Sequence, residues 1–419
     1  MYSIALFTLL GCGAHKYRKV ERTIKKAGLA ALNNSHFVGF VLYDPTTQDT
    51  LYQHNSGQYF TPASTTKIFT LYTAMKLLPD TIPAARYTTK GDTICIAGTG
   101  DPSFLHPYFK DSTALQLAQQ YANVSLSLAN YTDDAFGPGW AWEDYQWYFS
   151  PERSGMPMYG NVAQLFYTDS LHVTPSYFNE EVVLKKGASN RAPYYNTFYF
   201  DQERKDTLTI PFKTNDSLTK KLWEQLLHKQ VTITNALPNS SWKTVHSILA
   251  DSIYTRMMHQ SDNFLAEQLM VMATASMTPD SLSFSTAKDY SLTHQLAALE
   301  QQPRWVDGSG LSRYNLFSPA SLVHVLNTLY TEIPKERLFH LFPAGGVSGT
   351  LKEWYPGHLD PYIYAKSGTI GNTYCLAGYL ITKSGSVLIF SFMNNHFRQP
   401  VSEIKMQMQT IFEMIRDTY

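Results

Sequence analysis

The sequence has 419 residues, which is too long for one compact core. Of these residues 44% are hydrophobic, a composition too apolar for a disordered chain. Lysines and arginines number 34 and acidic residues also number 34, so overall charge gives no attraction to nucleic acid or to an anionic membrane surface. We therefore expect two lobes and a small or neutral substrate.

The chain opens with a short apolar run from Met1 to Leu10. Leu9-Leu10-Gly11-Cys12 resembles the lipobox that directs acylation of a cysteine in bacterial lipoproteins, although no lysine or arginine precedes the run. We expect residues 1–18 to be a lipoprotein signal and tether, with Cys12 as the lipidation site. The alternative is a buried N-terminal segment with an incidental cysteine. The sequence predicts no second membrane span.

The next elements read as a helix, a hairpin and a second helix. Helix formers at helical spacing predict a helix from Lys19 to Leu32. Alternation from Phe37 to Tyr43, with turn residues at 44–47, predicts a hairpin whose return strand contains Leu51-Tyr52. Thr61-Pro62 then opens a helix with one buried apolar face, formed by Ile68, Leu71, Met75 and Leu78.

The composition changes from Arg86 to about Leu249, where short β-like stretches alternate with Pro, Gly, Asn and Asp residues. This predicts a β-rich insertion over residues 89–249. Helical pattern returns from Ser252 to Thr274, and the chain closes with three strands and an amphipathic helix. The predicted strands are Tyr362–Ser367, Tyr374–Thr382 and Val387–Met393. We expect residues 19–88 and 250–419 to form one α/β domain, an antiparallel sheet flanked by helices.

Ser64-Thr65-Thr66-Lys67 supplies a nucleophile and a base. A serine hydroxyl reacts only when a base takes its proton, and the residue three positions later lies on the same helix face. The S-x-x-K pattern also occurs by chance, at Ser217, Ser240, Ser285 and Ser402. Ser64 differs because it starts a helix, where backbone amides face a developing oxyanion.

Two further motifs follow Ser64 in the chain. Ser261-Asp262-Asn263 is the only S-x-N of the sequence, and Lys366-Ser367-Gly368 ends a predicted strand. A second K-S-G begins at Lys383, in the turn of a predicted hairpin, where its lysine is expected to be solvated. Glycine in an edge strand lets the backbone approach a ligand, so the amide of Thr369 is a candidate oxyanion donor together with that of Ser64.

The ordered set S-x-x-K, S-D-N and K-[ST]-G resembles penicillin-binding proteins and serine β-lactamases. Additional segments resemble the type-4 D-Ala-D-Ala carboxypeptidases and endopeptidases, over nearly all of residues 20–419. These segments are Gly100-Asp101-Pro102, Gly139-Trp140-Ala141-Trp142, Asp307-Gly308-Ser309-Gly310-Leu311-Ser312 and Gly345-Gly346-Val347-Ser348-Gly349-Thr350-Leu351.

The resemblance implies an acyl-enzyme mechanism on peptidoglycan stem peptides that end in D-Ala-D-Ala, with β-lactams as inhibitors. It implies that Ser64 attacks, Lys67 accepts the proton and Ser261 relays a proton to the leaving amine. Asn263 would hold Lys67 and the substrate amide, while Lys366 and Ser367 bind the terminal carboxylate. Ser367 stands where many relatives have threonine, and the hydroxyl is kept. We expect a periplasmic, lipid-anchored bacterial enzyme.

Other features favour structural roles. Asp262 is more typical of a helix cap, and Asp307-Gly308-Ser309-Gly310 is a glycine-rich turn rather than a second serine centre. The cysteines and histidines show no metal-binding spacing, and no dinucleotide loop is present, so we expect neither a metal nor another cofactor.

The alternatives to the peptidase are a β-lactamase and a β-lactam-binding or wall-binding protein without turnover. The first is disfavoured because no E-x-x-L-N follows Asn263, and the second because all three motifs are intact. The sequence leaves open the balance of carboxypeptidase and endopeptidase activity, the oligomeric state and whether Cys95 pairs with Cys375.

Overall fold

The computed structural model describes residues 20–26, 29, 36–187, 189–234 and 241–419. Cys12 lies outside these residues, as does part of the predicted N-terminal helix, of which residues 20–26 are helical. None of the helices in the described ranges combines the length and the hydropathy of a membrane-crossing segment.

The elements follow one another in a mixed order. The strands are β1 (Phe37–Asp44), β2 (Asp49–His54), β3 (Thr81–Lys90), β4 (Thr93–Gly98), β5 (Asn123–Ser127), β6 (Val162–Tyr167), β7 (Leu171–Thr174), β8 (Val182–Leu184), β9 (Phe198–Phe200), β10 (Leu208–Pro211), β11 (Val231–Thr234), β12 (Lys243–Leu249), β13 (Ile363–Ile370), β14 (Thr373–Ile381) and β15 (Val387–Asn395). The α-helices are α1 (Lys67–Leu77), α2 (Thr113–Gln119), α3 (Asp216–Leu227), α4 (Ala250–Gln260), α5 (Asn263–Ala275), α6 (Phe284–Tyr290), α7 (Pro319–Glu332), α8 (Lys335–Leu341) and α9 (Val401–Thr418).

The described residues form two compact units. Unit 1 contains the residues up to Tyr72, together with Thr255–Ser261 and Leu296–Tyr419. Unit 2 contains Thr73–Tyr254 and Asp262–Gln295. Residues 73–88 and 262–295 therefore group with the segment that we expected to be an insertion, and the boundaries at 89 and 249 stay a prediction.

Unit 1 is built on an antiparallel sheet that joins the two ends of the chain, in the order β13-β14-β15-β1-β2 as far as the described residues go. Phe40 of β1 pairs with Phe392 of β15, and their rings stack with centroids 4.4 Å apart. The predicted fold, an antiparallel sheet flanked by helices, is confirmed.

Successive side chains of the sheet point to opposite faces, and a helix packs against each face. One face packs on α9, whose buried stripe is the predicted one: Ile404, Met408, Ile411, Phe412 and Ile415. On the other face the Tyr379 hydroxyl donates to the Leu326 carbonyl of α7 at 2.9 Å. Each fully buried Ile or Phe contributes roughly 1.5–3 kcal/mol, so the sheet is a rigid base for its edge strand β13.

Unit 2 contains the strand-rich segment. Its main sheet has the order β11-β5-β4-β3-β12, with parallel pairing of β5 to both β11 and β4. The smaller sheets are β10-β6-β7 and β8-β9. Helix α5 is buried along almost its whole length, which fixes the side chains at its start.

The helical pattern predicted from Ser252 to Thr274 forms two helices. Helix α4 ends at Gln260, and α5 begins at Asn263. Ser261 has φ of +55°, a left-handed conformation that a serine adopts only when its surroundings impose it. Asp262 has extended backbone and caps α5 by accepting from the Leu265 amide at 3.1 Å, as expected from the sequence.

Candidate active site

Ser64 lies on a tight helical turn, Ala63–Thr66, that leads directly into α1. The hydroxyls of Thr65 and Thr66 each donate to the backbone carbonyl three residues earlier, at 2.7 and 2.9 Å. Both threonines are buried, whereas Ser64 is partly exposed. The turn is therefore rigid, and it presents the Ser64 hydroxyl at the surface.

Lys67 is fully buried, and its Nζ lies 3.0 Å from the Ser64 Oγ. The same Nζ donates to the Ser309 carbonyl at 2.7 Å. The i+3 spacing has thus placed an amine within hydrogen-bond reach of the hydroxyl, which is the geometry a general base requires.

The Ser309 carbonyl belongs to the glycine-rich turn that the sequence identified as structural. Asp307 holds this turn by accepting from the amides of Gly310 at 2.8 Å and Ser312 at 2.6 Å. The predicted turn is confirmed, but the sequence did not indicate that the turn contacts Lys67. The turn supplies a carbonyl that orients Lys67, and a backbone carbonyl leaves no signal in a sequence.

This turn packs directly against the backbone next to Ser64. A Cβ placed on Gly310 would lie 1.9 Å from the Ala63 carbonyl oxygen, and Gly310 has φ of +80°. Ala63 itself has φ of +47°. Left-handed conformations in residues other than glycine cost energy and cluster at functional sites, so the strain at Ala63 marks this turn as a site.

A second buried lysine, Lys366 on β13, faces the same region. Its Nζ lies 3.0 Å from the Ser261 Oγ and donates to the Ser367 carbonyl at 2.7 Å. Complete burial is the main cause that holds the pKa of Lys366 well below its usual range, and the positive charge of Lys67 lowers this pKa further. Because two buried amines repel each other, one of them gives up its proton more readily than an isolated lysine.

Ser367 has a hydroxyl partner that the sequence analysis did not single out. The Oγ atoms of Ser367 and Thr350 lie 2.7 Å apart. Thr350 follows Gly349, whose φ is +56° and whose added Cβ would lie 2.7 Å from the His259 carbonyl oxygen. The close approach at Gly349 therefore sets the position of Thr350, which in turn orients the Ser367 hydroxyl.

Strand β13 is the last strand of the sheet, and a bridge between Ala344 and Tyr364 covers the first part of its outer edge. The Ala365 amide donates to Pro343, and the Ile363 carbonyl accepts from Gly345, so odd-numbered residues of β13 direct their backbone groups away from β14. By the same alternation the amide of Thr369 points out of the edge. This direction suits an oxyanion donor, the role that the sequence suggested for Thr369.

Gly368 lies where β13 meets the nucleophile turn. A Cβ added there would lie 2.6 Å from the Pro62 carbonyl oxygen and 2.8 Å from the Ser64 amide nitrogen. Only a glycine permits this approach, because the obstructing atoms are backbone atoms that cannot rotate away.

We predict that Gly368→Ala slows acylation of Ser64 by penicillin about tenfold or more, because separating β13 from the turn by a few tenths of an ångström displaces the oxyanion donors. Stopped-flow measurement of acylation rates tests this. The control is Gly57→Ala, whose added Cβ would meet the flexible Gln301 side chain at 3.4 Å. Similar rates for both variants would contradict the role of Gly368.

Asn263 belongs to unit 2, at the start of α5. Its side-chain nitrogen donates to the Phe149 carbonyl at 2.9 Å. One turn further along α5, Glu267 is buried and lies 3.6 Å from the Arg153 guanidinium. This buried ion pair gives Glu267 a structural role.

The lysines of other S-x-x-K matches have other neighbours. Lys220 lies 3.7 Å from Glu224, and Lys288 lies 3.0 Å from Asp289. Lys405 stands over the Trp354 ring, 4.5 Å from its centroid. The open question about the cysteines is also answered, since Cys95 and Cys375 are both buried free thiols.

A serine that starts a helix, a buried lysine three residues later and a glycine-bearing edge strand with a second lysine together define a serine enzyme of the penicillin-binding and β-lactamase class. The chain belongs to the D-Ala-D-Ala carboxypeptidase 3 (S13) family, whose model matches residues 20–414. It is therefore a serine-type D-Ala-D-Ala carboxypeptidase by family, which confirms the predicted class of enzyme.

Similar proteins support this assignment. The D-alanyl-D-alanine carboxypeptidase DacB of Haemophilus influenzae is 22% identical, with 91% of this chain and 90% of that protein covered. The penicillin-sensitive carboxypeptidase A of Dictyostelium discoideum is 22% identical, with 81% and 78% covered. Among solved structures, penicillin binding protein 4 of Haemophilus influenzae matches with a TM-score of 0.71 and 19% identity, covering 93% of this chain and 98% of that one.

Proposed function

We propose that this chain hydrolyses D-Ala-D-Ala peptide bonds of peptidoglycan stem peptides, as carboxypeptidase, DD-endopeptidase or both, through an acyl-enzyme on Ser64. The observation that carries the proposal is the 3.0 Å contact between the Ser64 hydroxyl and the buried amine of Lys67. The family and the penicillin-sensitive relative support the substrate and the inhibitor class.

In the first half-reaction the Ser64 oxygen bonds to the carbonyl carbon of the penultimate D-Ala while neutral Lys67 takes the hydroxyl proton. The amides of Ser64 and Thr369 stabilise the oxyanion. As the C–N bond breaks, Ser261 passes a proton to the departing amine and receives in its place the proton held by Lys67, which is neutral again. Water then gives a proton to Lys67 as its oxygen attacks the ester carbon, and Lys67 returns this proton to the Ser64 oxygen as the acid product departs.

The substrate is held by the groups next to these. The terminal carboxylate of the substrate favours the charged form of Lys366, whose pKa is lowered in the free enzyme. Lys366 as an ammonium and Ser367 as a hydroxyl donor then bind this carboxylate, and the Thr350 contact orients Ser367 for this bond. Asn263 binds the substrate amide, as the family pattern implies. Its position at the start of a buried helix favours this role, since the side chain is fixed before substrate arrives.

The test is digestion of purified peptidoglycan by the full chain, followed by analysis of released D-Ala and of uncross-linked peptides. Free D-Ala demonstrates carboxypeptidase activity, and loss of cross-linked dimers demonstrates endopeptidase activity. If neither product forms and a chromogenic D-Ala-D-Ala substrate also stays intact, the alternative of a binding protein without turnover replaces this proposal.

We predict that penicillin labels Ser64 and no other serine, because Ser64 combines the tight turn, the adjacent amine and the two downstream motifs. Peptide mapping by mass spectrometry after labelling checks this. Ser64→Ala should lose the label completely, whereas Ser402→Ala should keep it. A label on Ser217, Ser240, Ser285 or Ser402 would show that the wrong S-x-x-K was chosen.

We also propose that the protein works in the bacterial periplasm, anchored by a lipid on Cys12. Replacing Cys12 by serine should move the protein from the membrane pellet to the soluble periplasmic fraction, because a single residue then loses its acyl chains. Ultracentrifugation of cell extracts with immunodetection measures this. Identical fractionation of both forms would refute the lipid anchor.

A further inference from the structure

An open, largely aromatic cavity of about 320 Å³ lies in unit 2, and the segment Gly139-Trp140-Ala141-Trp142 contributes three of its lining residues. Trp142 and Tyr194 line it with rings that are 65% and 70% exposed. Their centroids lie 6.3 Å apart with the planes tilted by 35°, and Tyr145 lies 5.4 Å from Trp142. Large aromatic faces gathered in water around a concave site are typical of a binding surface.

A buried cation, the Arg191 guanidinium, lies among the residues that form the cavity. Arg191 is 1% exposed and lies 5.0 Å from the Tyr145 ring centroid. Its terminal nitrogens donate to the carbonyls of Tyr145, Ala192 and Tyr195, which ties the two aromatic segments together. Its Nε is also buried, and it has no hydrogen-bond partner among the residues that the structure describes. Arg191 therefore holds the two aromatic segments in place from within the protein and does not itself reach a ligand.

The other charged side chain of the lining is Lys213, which is 40% exposed and lies 3.8 Å from Glu152. Among the described residues that line the cavity, none is a carboxylate. The lining thus offers apolar ring faces and one partly exposed ammonium, and both of its charged side chains are cations, which disfavours a cationic ligand. A ligand with one apolar face and several acceptor oxygens fits this chemistry.

The cavity is connected through the chain to a residue of the proposed active site. Trp142 and Tyr145 belong to the helical turn Trp142–Gln146, and three residues after this turn the Phe149 carbonyl accepts from the Asn263 side chain. The segment that forms the aromatic wall therefore also contacts the second motif. A substrate held at Asn263 can extend along this segment.

We propose that this cavity binds an N-acetylated hexosamine of the glycan strand to which the stem peptide is attached, an inference that rests on the proposed function. One face of a pyranose ring presents C–H groups that pack on Trp142 and Tyr194, and the acetamido oxygen accepts from the partly exposed Lys213 ammonium. A volume of this size suits a single small ligand rather than a protein surface. The enzyme then prefers stem peptides on a glycan over free peptides.

The first experiment measures binding of peptide-free tetra-N-acetylchitotetraose to the full chain by isothermal titration calorimetry. Trp142→Ala and Tyr194→Ala should each weaken binding about tenfold, the loss expected for one stacking contact with its buried area. Both residues are exposed, so neither substitution disturbs folding. The control is Tyr108→Ala, which removes a ring that is 62% exposed and does not line the cavity.

The second experiment compares turnover of a sugar-free diacetyl-L-Lys-D-Ala-D-Ala peptide with turnover of intact peptidoglycan. Trp142→Ala should lower kcat/KM for peptidoglycan about tenfold and leave the sugar-free peptide unchanged. Equal loss on both substrates would assign the cavity to the peptide and overturn the inference, as would oligosaccharide binding unaffected by either substitution. Absence of all turnover with intact sugar binding would instead refute the proposed function alone.

Discussion

Lys366→Ala is expected to lower kcat/KM for a D-Ala-D-Ala peptide by about two decades. Its ammonium is proposed to bind the substrate carboxylate, and a hydrogen bond to a charged group contributes roughly 1.5–3 kcal/mol, or about one to two decades. Lys366 also contacts the Ser261 hydroxyl at 3.0 Å, so its loss disturbs the proposed proton relay as well. Steady-state kinetics with a chromogenic peptide measures the effect.

The matched control is Lys383→Ala, in the second K-S-G of the chain. The Lys383 side chain is 64% exposed and lies 3.3 Å from Asp417, whereas Lys366 is fully buried. An exposed ion pair contributes little, so Lys383→Ala should change neither activity nor stability appreciably. Circular dichroism shows whether each variant is folded. Equal kinetic effects of the two substitutions would mean that Lys366 does not bind the substrate.

The sheet of unit 1 was predictable because its strands and one covering helix follow from local sequence patterns. Runs of β-forming residues in positions 37–43 and in the three C-terminal segments indicated the strands, and the turn residue Asp44 accepts from the Thr46 amide at 2.8 Å. The stripe from Ile404 to Ile415 follows from helical periodicity alone. Such patterns can be recognised in a sequence without knowing which distant residues are in contact.

Features that depend on distant backbone atoms were not predictable. The carbonyl that orients Lys67 comes from residue 309, and the hydroxyl that contacts Ser367 comes from Thr350. The break at Ser261 divides a continuous helical pattern, because the tertiary structure stabilises a left-handed residue that local propensity disfavours. The parallel pairing of β5 in unit 2 likewise leaves no local trace.

The distinction between peptidase and β-lactamase depends on deacylation, because both classes form the same ester on the serine. A β-lactamase needs an additional base that activates water. Glu267 is buried against Arg153 in an ion pair, which ties up its carboxylate. Glu300 is exposed and lines a separate cavity of about 470 Å³ whose lining does not include Ser64. Neither carboxylate has the setting of a deacylating base.

We therefore predict that the penicilloyl adduct on Ser64 persists for minutes or longer. In peptide hydrolysis the D-Ala departs and leaves room for water beside Lys67, whereas the opened penicillin stays attached and obstructs that approach. Intact-protein mass spectrometry after a brief pulse of penicillin follows the adduct over time. Glu267→Gln and Glu300→Gln should leave its lifetime unchanged, since neither residue activates water. An adduct that vanishes within seconds, with many penicillins hydrolysed per enzyme, would establish a β-lactamase instead, and a prolonged lifetime in one glutamine variant would identify the base responsible.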